Sequence, residues 1–99
     1  MSYAILGKKK PRTIGILGKA FVIEILEAIR EKPKRFVDLK EQCPNDRTRA
    51  NRLRGLRKDS FIKTVIIEIK EQSFIHYSIT KKGENAFKLL QQLEAMTVE

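Results

Sequence analysis

Residues 46–70 read DRTRANRLRGLRKDSFIKTVIIEIK, and a change of period partway along them decides the fold. Up to Lys58 the apolar residues Ala50, Leu53 and Leu56 recur every three positions, which is one face of a helix. Asn45 or Asp46 can cap this helix, expected over 46–59. From Phe61 to Ile69 β-branched residues crowd together, the composition of a strand. Lys70-Glu71-Gln72-Ser73 reads as a polar turn and Phe74 to Ile79 as a returning strand, so 61–79 form a β-hairpin.

Upstream, Val37 to Gln42 is predicted as a short helix closed by Cys43-Pro44, with Lys34-Arg35-Phe36 as an extended link. A longer helix is expected from near Thr13 or Gly18 to about Glu31, ended by Pro33. Phe21, Ile25 and Ile29 fall four apart in it, with Val22 and Leu26 beside them. Downstream, Thr80 caps a last helix over 81–96, and Glu84 completes the cap if the register shifts by one. Its apolar stripe is Ala86, Phe87, Leu90, Leu93 and Met96. The order is three helices, a hairpin wing and a C-terminal helix: an α+β, mostly α, winged helix-turn-helix over 13–99, preceded by a flexible basic arm over 1–12.

Charge is concentrated rather than spread. The chain of 99 residues carries net +9. Lys8, Lys9, Lys10, Arg12 and Lys19 give the first nineteen residues +5, with no acid among them. Arg47, Arg49, Arg52, Arg54, Arg57 and Lys58 against Asp46 give 46–58 another +5. Two basic blocks on a nearly neutral body point to a polyanionic partner, nucleic acid before anionic membrane. One cysteine, Cys43, and one histidine, His76, exclude an intramolecular disulfide framework and a Cys- or His-rich metal site. No apolar run approaches membrane-spanning length, so no membrane partner and a cytoplasmic location are expected.

Four segments carry a family resemblance. Gly18-Lys19-Ala20-Phe21-Val22-Ile23-Glu24-Ile25-Leu26 resembles the first-helix signature of HxlR-type winged-helix regulators. Pro33-Lys34-Arg35-Phe36-Val37-Asp38-Leu39-Lys40 is similar to their GPKRFNELK segment, Arg52-Leu53-Arg54-Gly55-Leu56 to their RLREL core, and Tyr77-Ser78-Ile79-Thr80-Lys81-Lys82-Gly83 to their YSLTELG motif. MarR and ArsR relatives share parts of these motifs. The resemblance covers about 13–96 and implies a prokaryotic, dimeric regulator of transcription that binds palindromic double-stranded DNA and is associated with the nucleoid when bound. The chain departs from the pattern in places. Ala20-Phe21 replaces a tryptophan, Lys70–Ser73 replaces a proline-containing wing, and Phe74 stands where the wing arginine is expected. The redox-sensitive cysteine that many members carry ahead of the first helix is missing.

With Ala50, Leu53 and Leu56 turned inward, the opposite face of 46–59 carries Arg47, Thr48, Asn51, Arg54, Gly55 and Lys58, with Arg52 at its edge. Arginine can pair with guanine and asparagine with adenine in the major groove. Arg47, Thr48 and Asn51, near the helix start, are the candidate base contacts; Arg52, Arg54 and Lys58 are candidate phosphate contacts. Arg49 points to the apolar side and is expected to snorkel or to pair with an acid such as Glu41. Lys34 and Arg35, the wing residues Lys70, Gln72 and Ser73, and the arm residues Lys8, Lys9, Lys10 and Arg12 are further candidate DNA contacts. Leu90, Leu93 and Met96 exceed what one small body buries, so a second copy is expected to cover them.

Catalytic readings fail on their residues. Gly18-Lys19 lacks the first glycine and the hydroxyl of a P-loop, because Thr13 and Ala20 stand in those places. The GXXG of Gly15–Gly18 has an apolar centre unsuited to a phosphate clamp. Glu68-Ile69-Lys70 has no partner acid for a metal-dependent nuclease. A Ser-His-Asp triad would have to use His76, which no Gly-framed serine accompanies. The expectation is a non-enzymatic, cofactor-free and metal-free DNA-binding regulator, its effector unspecified. The alternative is a winged-helix interaction subunit or a non-specific nucleic-acid-binding protein.

Overall fold

In the computed structural model, residues 12–96 are described. The elements are α1 (Arg12–Leu17), α2 (Val22–Glu31), a 3-10 turn (Phe36–Leu39), α3 (Asp46–Lys58), β1 (Ile62–Ile69), β2 (Gln72–Ile79) and α4 (Lys81–Ala95). The expected arm residues Lys8, Lys9 and Lys10 lie outside the described residues. Arg12 does not belong to an arm: it opens α1.

The first expected helix is two helices. Gly18 closes α1 by donating its N–H to the Ile14 carbonyl at 2.8 Å, and Phe21 takes a left-handed φ of 75° before α2 starts. Phe21 is therefore a half-exposed junction residue rather than the head of the apolar face. The buried stripe of α2 is Val22, Ile25, Leu26 and Ile29. The predicted helix over 37–42 shrinks to one 3-10 turn. The Asp38 carboxylate accepts from the Arg35 N–H at 3.0 Å and fixes its start. Pro44 pushes Cys43 towards extended backbone and stops it from propagating. Only Leu39 of the turn is buried.

α3 begins where the Asn45 carboxamide accepts the Thr48 N–H at 2.9 Å, so of the two cap candidates, Asn45 and Asp46, it is Asn45 that caps. The two strands pair antiparallel from Ile62↔Ile79 to Ile69↔Gln72. The turn is therefore Lys70-Glu71 alone, with φ of 50° and 67°, and Gln72 and Ser73 belong to β2. Two successive left-handed residues match the twist of the flanking strands, which lets pairing run to the tip. Lys34 and Tyr77 exchange backbone hydrogen bonds of 3.0 and 2.7 Å, adding a one-residue third edge.

The core joins α2 to Leu39, Cys43, Leu53, Leu56, Phe61, Ile62, Ala86 and Phe87. Cys43 is a buried core residue, and His76 is buried with Nδ1 3.0 Å from the Phe74 carbonyl oxygen. Thr80 caps α4 by accepting the Gly83 N–H at 3.0 Å. Glu84 does not complete that cap; it pairs with Arg30, whose guanidinium lies over the Phe87 ring. Along the α4 stripe Ala86 and Phe87 are buried and Leu90 is half-buried, but Leu93 is 58% and Met96 70% exposed.

Candidate nucleic-acid interface

Helix α3 carries the candidate interface, and what it buries sets what it presents. Its buried residues are Arg49, Leu53 and Leu56; Ala50 is only half-buried. Relative to an Ala50-Leu53-Leu56 face, this turns the helix by roughly a third of one residue's 100° step. Arg49 is buried because its charge is fully met. Both Nη1 and Nη2 donate to Oδ1 of Asp46 at 2.8 Å, and Nε donates to the Cys43 carbonyl at 3.0 Å. Nη2 also donates to the Pro44 carbonyl at 3.3 Å, and the guanidinium lies over the Phe36 ring, 4.4 Å from its centroid. The pairing acid is Asp46 and not Glu41: three residues along a helix places the two side chains on one face.

The rotation re-sorts the candidates. Arg47, Asn51, Arg54 and Lys58 remain exposed together, and Thr48 is half-buried beside them. Asn51 accepts a hydrogen bond on Oδ1 from Nη1 of Arg54 at 2.8 Å, so the candidate base reader and the candidate phosphate contact form one unit. Arg52 swings inward and donates Nε to the Ala20 carbonyl at 2.9 Å, tying α3 to the α1–α2 junction. Arg57 swings outward and lines a shallow cleft with Arg54 and Tyr77. Sequence reasoning left Arg57 out of the site although it belongs to the basic block. An arginine buried at 49 was the missing reference for the helix rotation.

Gly55 leaves the outward face. A Cβ built on it would meet only Cγ2 of Ile16, at 4.0 Å, an ordinary contact. Half-buried beside Ile16, it is turned away from the exposed cationic face. Gly55→Ala is therefore expected to stabilise the fold by about 0.5–1 kcal/mol, through helix propensity and unfolded-chain entropy, with duplex affinity unchanged. Urea unfolding and a binding titration check this. Lower affinity without added stability would return Gly55 to the DNA side.

The remaining candidates are dispersed or already engaged. Arg12 pairs with Asp59 at 2.6 Å. Lys34 lies 4.0 Å from Glu31 with its side chain largely covered. Arg35 holds Asp38 through backbone and guanidinium and lies over the Phe74 ring. The Arg35 N–H, and next its side chain, keep the Asp38 carboxyl below its ordinary pKa. This contribution to the turn is present at neutral pH and is lost as pH falls through the carboxylate range. Lys70 stands exposed at the wing tip. Gln72 and Ser73 are strand neighbours and so face opposite sides of the sheet. Ser73 shares its face with Tyr77, on the α3 side.

A turn-joined 3-10 segment and cationic helix, followed by a tight hairpin and a packed C-terminal helix, define a winged helix-turn-helix protein. Residues 16–99 match the HxlR-like helix-turn-helix family. The chain belongs to that family, and with it to the DNA-binding regulators of transcription. Its fold is similar to that of diamide-treated YodB from B. subtilis, with TM-score 0.73 and 24% identity over 84% of this chain and 83% of that one. It is also similar to the redox regulator HypR in its reduced form, with TM-score 0.70 and 20% identity over 84% and 83%. The smu.1704 protein from Streptococcus mutans UA159 gives TM-score 0.69 and 20% identity over 80% and 81%. Among curated proteins none matches the chain. Among the described residues no helix is long and apolar enough to cross a membrane.

Proposed function

We propose that the chain binds double-stranded DNA sequence-specifically as a homodimer, with α3 in the major groove. The observation that carries this is the outer surface of α3. Arg47, Asn51, Arg54, Arg57 and Lys58 are exposed on it, while Asp46, its one acid, is tied to Arg49. Arg47, Thr48 and Asn51 lie towards the end of the helix that penetrates deepest and read bases; Arg54, Arg57 and Lys58 hold phosphates. A second copy supplies the cover for Leu93 and Met96. The neighbouring apolar groove of about 500 Å³, between Ile14 and Leu17 of α1 and Leu89 and Leu90 of α4, supports the same reading. Two recognition helices then enter successive major grooves about 34 Å apart, on a palindromic site.

Selection of bound duplexes from a random pool, with sizing of the complex, tests this. A regulator prefers its site by roughly 10³-fold or more over random duplex. An 11.5 kDa monomer in sedimentation at micromolar concentration overturns the dimer. Binding without sequence preference leaves a nucleic-acid-coating protein.

Two variants separate reading from positioning. Asn51→Ala is expected to cost roughly 1–3 kcal/mol on the preferred site and to relax discrimination at one symmetric pair of positions, with little effect on random DNA. Arg54→Ala is expected to weaken both duplexes about equally and to lower the salt slope by about one for each phosphate left without its cation. Because the two side chains are hydrogen-bonded, the double variant is expected to be non-additive. Titrations on both duplexes decide it. If Asn51→Ala weakens both equally while Arg54→Ala changes base preference, the roles are reversed.

A further inference from the structure

A buried arginine at the centre of a helix's packing face is an expensive choice. Desolvating a guanidinium costs several kcal/mol, and a well-packed apolar residue of similar volume is often equal or better for stability. Leu53 and Leu56 fill the same face of α3 without any such cost. The side chain of Arg49 is 0% exposed, whereas that of its partner Asp46 is 76% exposed. The pair thus runs from the core outward to the first residue of α3, with both guanidinium Nη atoms on one carboxylate oxygen. Asp46 is favourable there for the helix itself, since a carboxylate in the first turn complements the helix dipole. It is unfavourable for binding DNA, because this end of α3 goes first into the groove and phosphates repel a carboxylate.

We propose that Arg49, without touching DNA, sets the affinity of α3 for the polyanion by cancelling the charge of Asp46 from beneath. The inference rests on the DNA-binding reading above and makes Arg49 a positioning residue for it. The guanidinium is held by the Cys43 and Pro44 carbonyls and by the Phe36 ring, so it is fixed before DNA arrives. Only the guanidinium lies below the surface; held 2.8 Å from the exposed carboxylate, it offsets that charge at a distance well inside the screening length. Asp46 thereby keeps its favourable place at the helix start while the face above presents mainly cations.

The test is a charge cycle of Arg49→Met, Asp46→Asn and the double variant, titrated with preferred and random duplex at 50 and 200 mM salt. Arg49→Met is expected to bind about 3- to 10-fold more weakly than wild type at 50 mM on both duplexes, with the defect shrinking at 200 mM as the bare carboxylate is screened. Asp46→Asn keeps an oxygen acceptor for Arg49 and is expected to bind tighter by a similar factor. The double variant is expected within about twofold of wild type, because the net charge is restored. A role confined to packing predicts the opposite pattern. The Arg49→Met defect would then be independent of salt and would persist in the double variant, and that result overturns the proposal. If Arg49→Met does not fold, Asp46→Asn decides alone, and affinity no higher than wild type overturns it. A wild-type chain with no salt-dependent duplex affinity brings down the DNA-binding reading itself, an outcome visible before any variant is made.

Discussion

Between 50 and 200 mM salt the chain, bound as the proposed dimer, is expected to lose on the order of 10³–10⁵ in affinity for duplex DNA. Each phosphate neutralised by a cation releases bound counterions, and the logarithmic slope grows with the number of such contacts. On α3 the proposed phosphate contacts Arg54, Arg57 and Lys58 are exposed, and Lys70 stands at the wing tip. Two protomers can thus make about 6–10 phosphate contacts, the range to which that loss belongs. Arg12, Lys34 and Arg35 are left out of that number, since Asp59, Glu31 and Asp38 already face them. Anisotropy titrations at four salt concentrations measure the slope. A nearly flat response places the α3 face away from DNA. Removing residues 1–11, which leaves Arg12 and its ion pair in place, is expected to make the slope shallower with little change in the preferred sequence.

Gly83→Ala is expected to destabilise the fold by roughly 3 kcal/mol or more. A Cβ on Gly83 would lie 2.0 Å from the Phe61 carbonyl oxygen and 3.0 Å from its carbon, with Cγ1 of Ile79 at 2.9 Å. Backbone atoms cannot turn aside as a side-chain end can. That carbonyl is also committed, accepting the Thr80 N–H at 3.1 Å. Relief requires the first turn of α4 to lift from the strand, and with it Ala86 and Phe87 from the core. Against a total stability of about 5–15 kcal/mol for such a domain, this removes a large share. Urea or thermal unfolding measures it. A variant within about 1 kcal/mol of wild type would mean that α4 docks differently.

The order of elements from 36 onward, the bounds of α3 to within a residue and a cap at Asn45 or Asp46 were legible because they follow from periodicity and local hydrogen bonding. The break at Phe21 was not. Its apolar side chain continues the spacing of Ile25 and Ile29, and nothing in a side chain's polarity reports a left-handed φ. The two-residue length of the wing turn is hidden in the polar stretch 70–73, because Lys70-Glu71 carries neither the asparagine nor the glycine that usually marks such a turn. At the interface the residue types were legible and their pairing was not. The inward direction of Arg49 was legible, but its complete burial, rare for arginine, and its choice of Asp46 over Glu41 were not. Arg12 with Asp59 and Arg52 with Ala20 join segments that only the tertiary fold brings together.

The two-residue turn also limits how the wing can change over time. Eight residues of β1 face eight of β2 with no slack between them. Adding one residue to either strand would exchange its faces, carrying Val65 and Ile67, or Phe74 and His76, to the side now held by Thr64, Ile66, Ile75 and Tyr77. The hairpin can therefore lengthen or shorten without disturbing its packing only by two residues in each strand at once. Its reach changes in steps of about 7 Å, which is two residues of antiparallel strand. For descendants of this chain, moving the tip gradually along a groove is closed to insertion and deletion. Any finer adjustment has to come from substituting Lys70 and its neighbours in place.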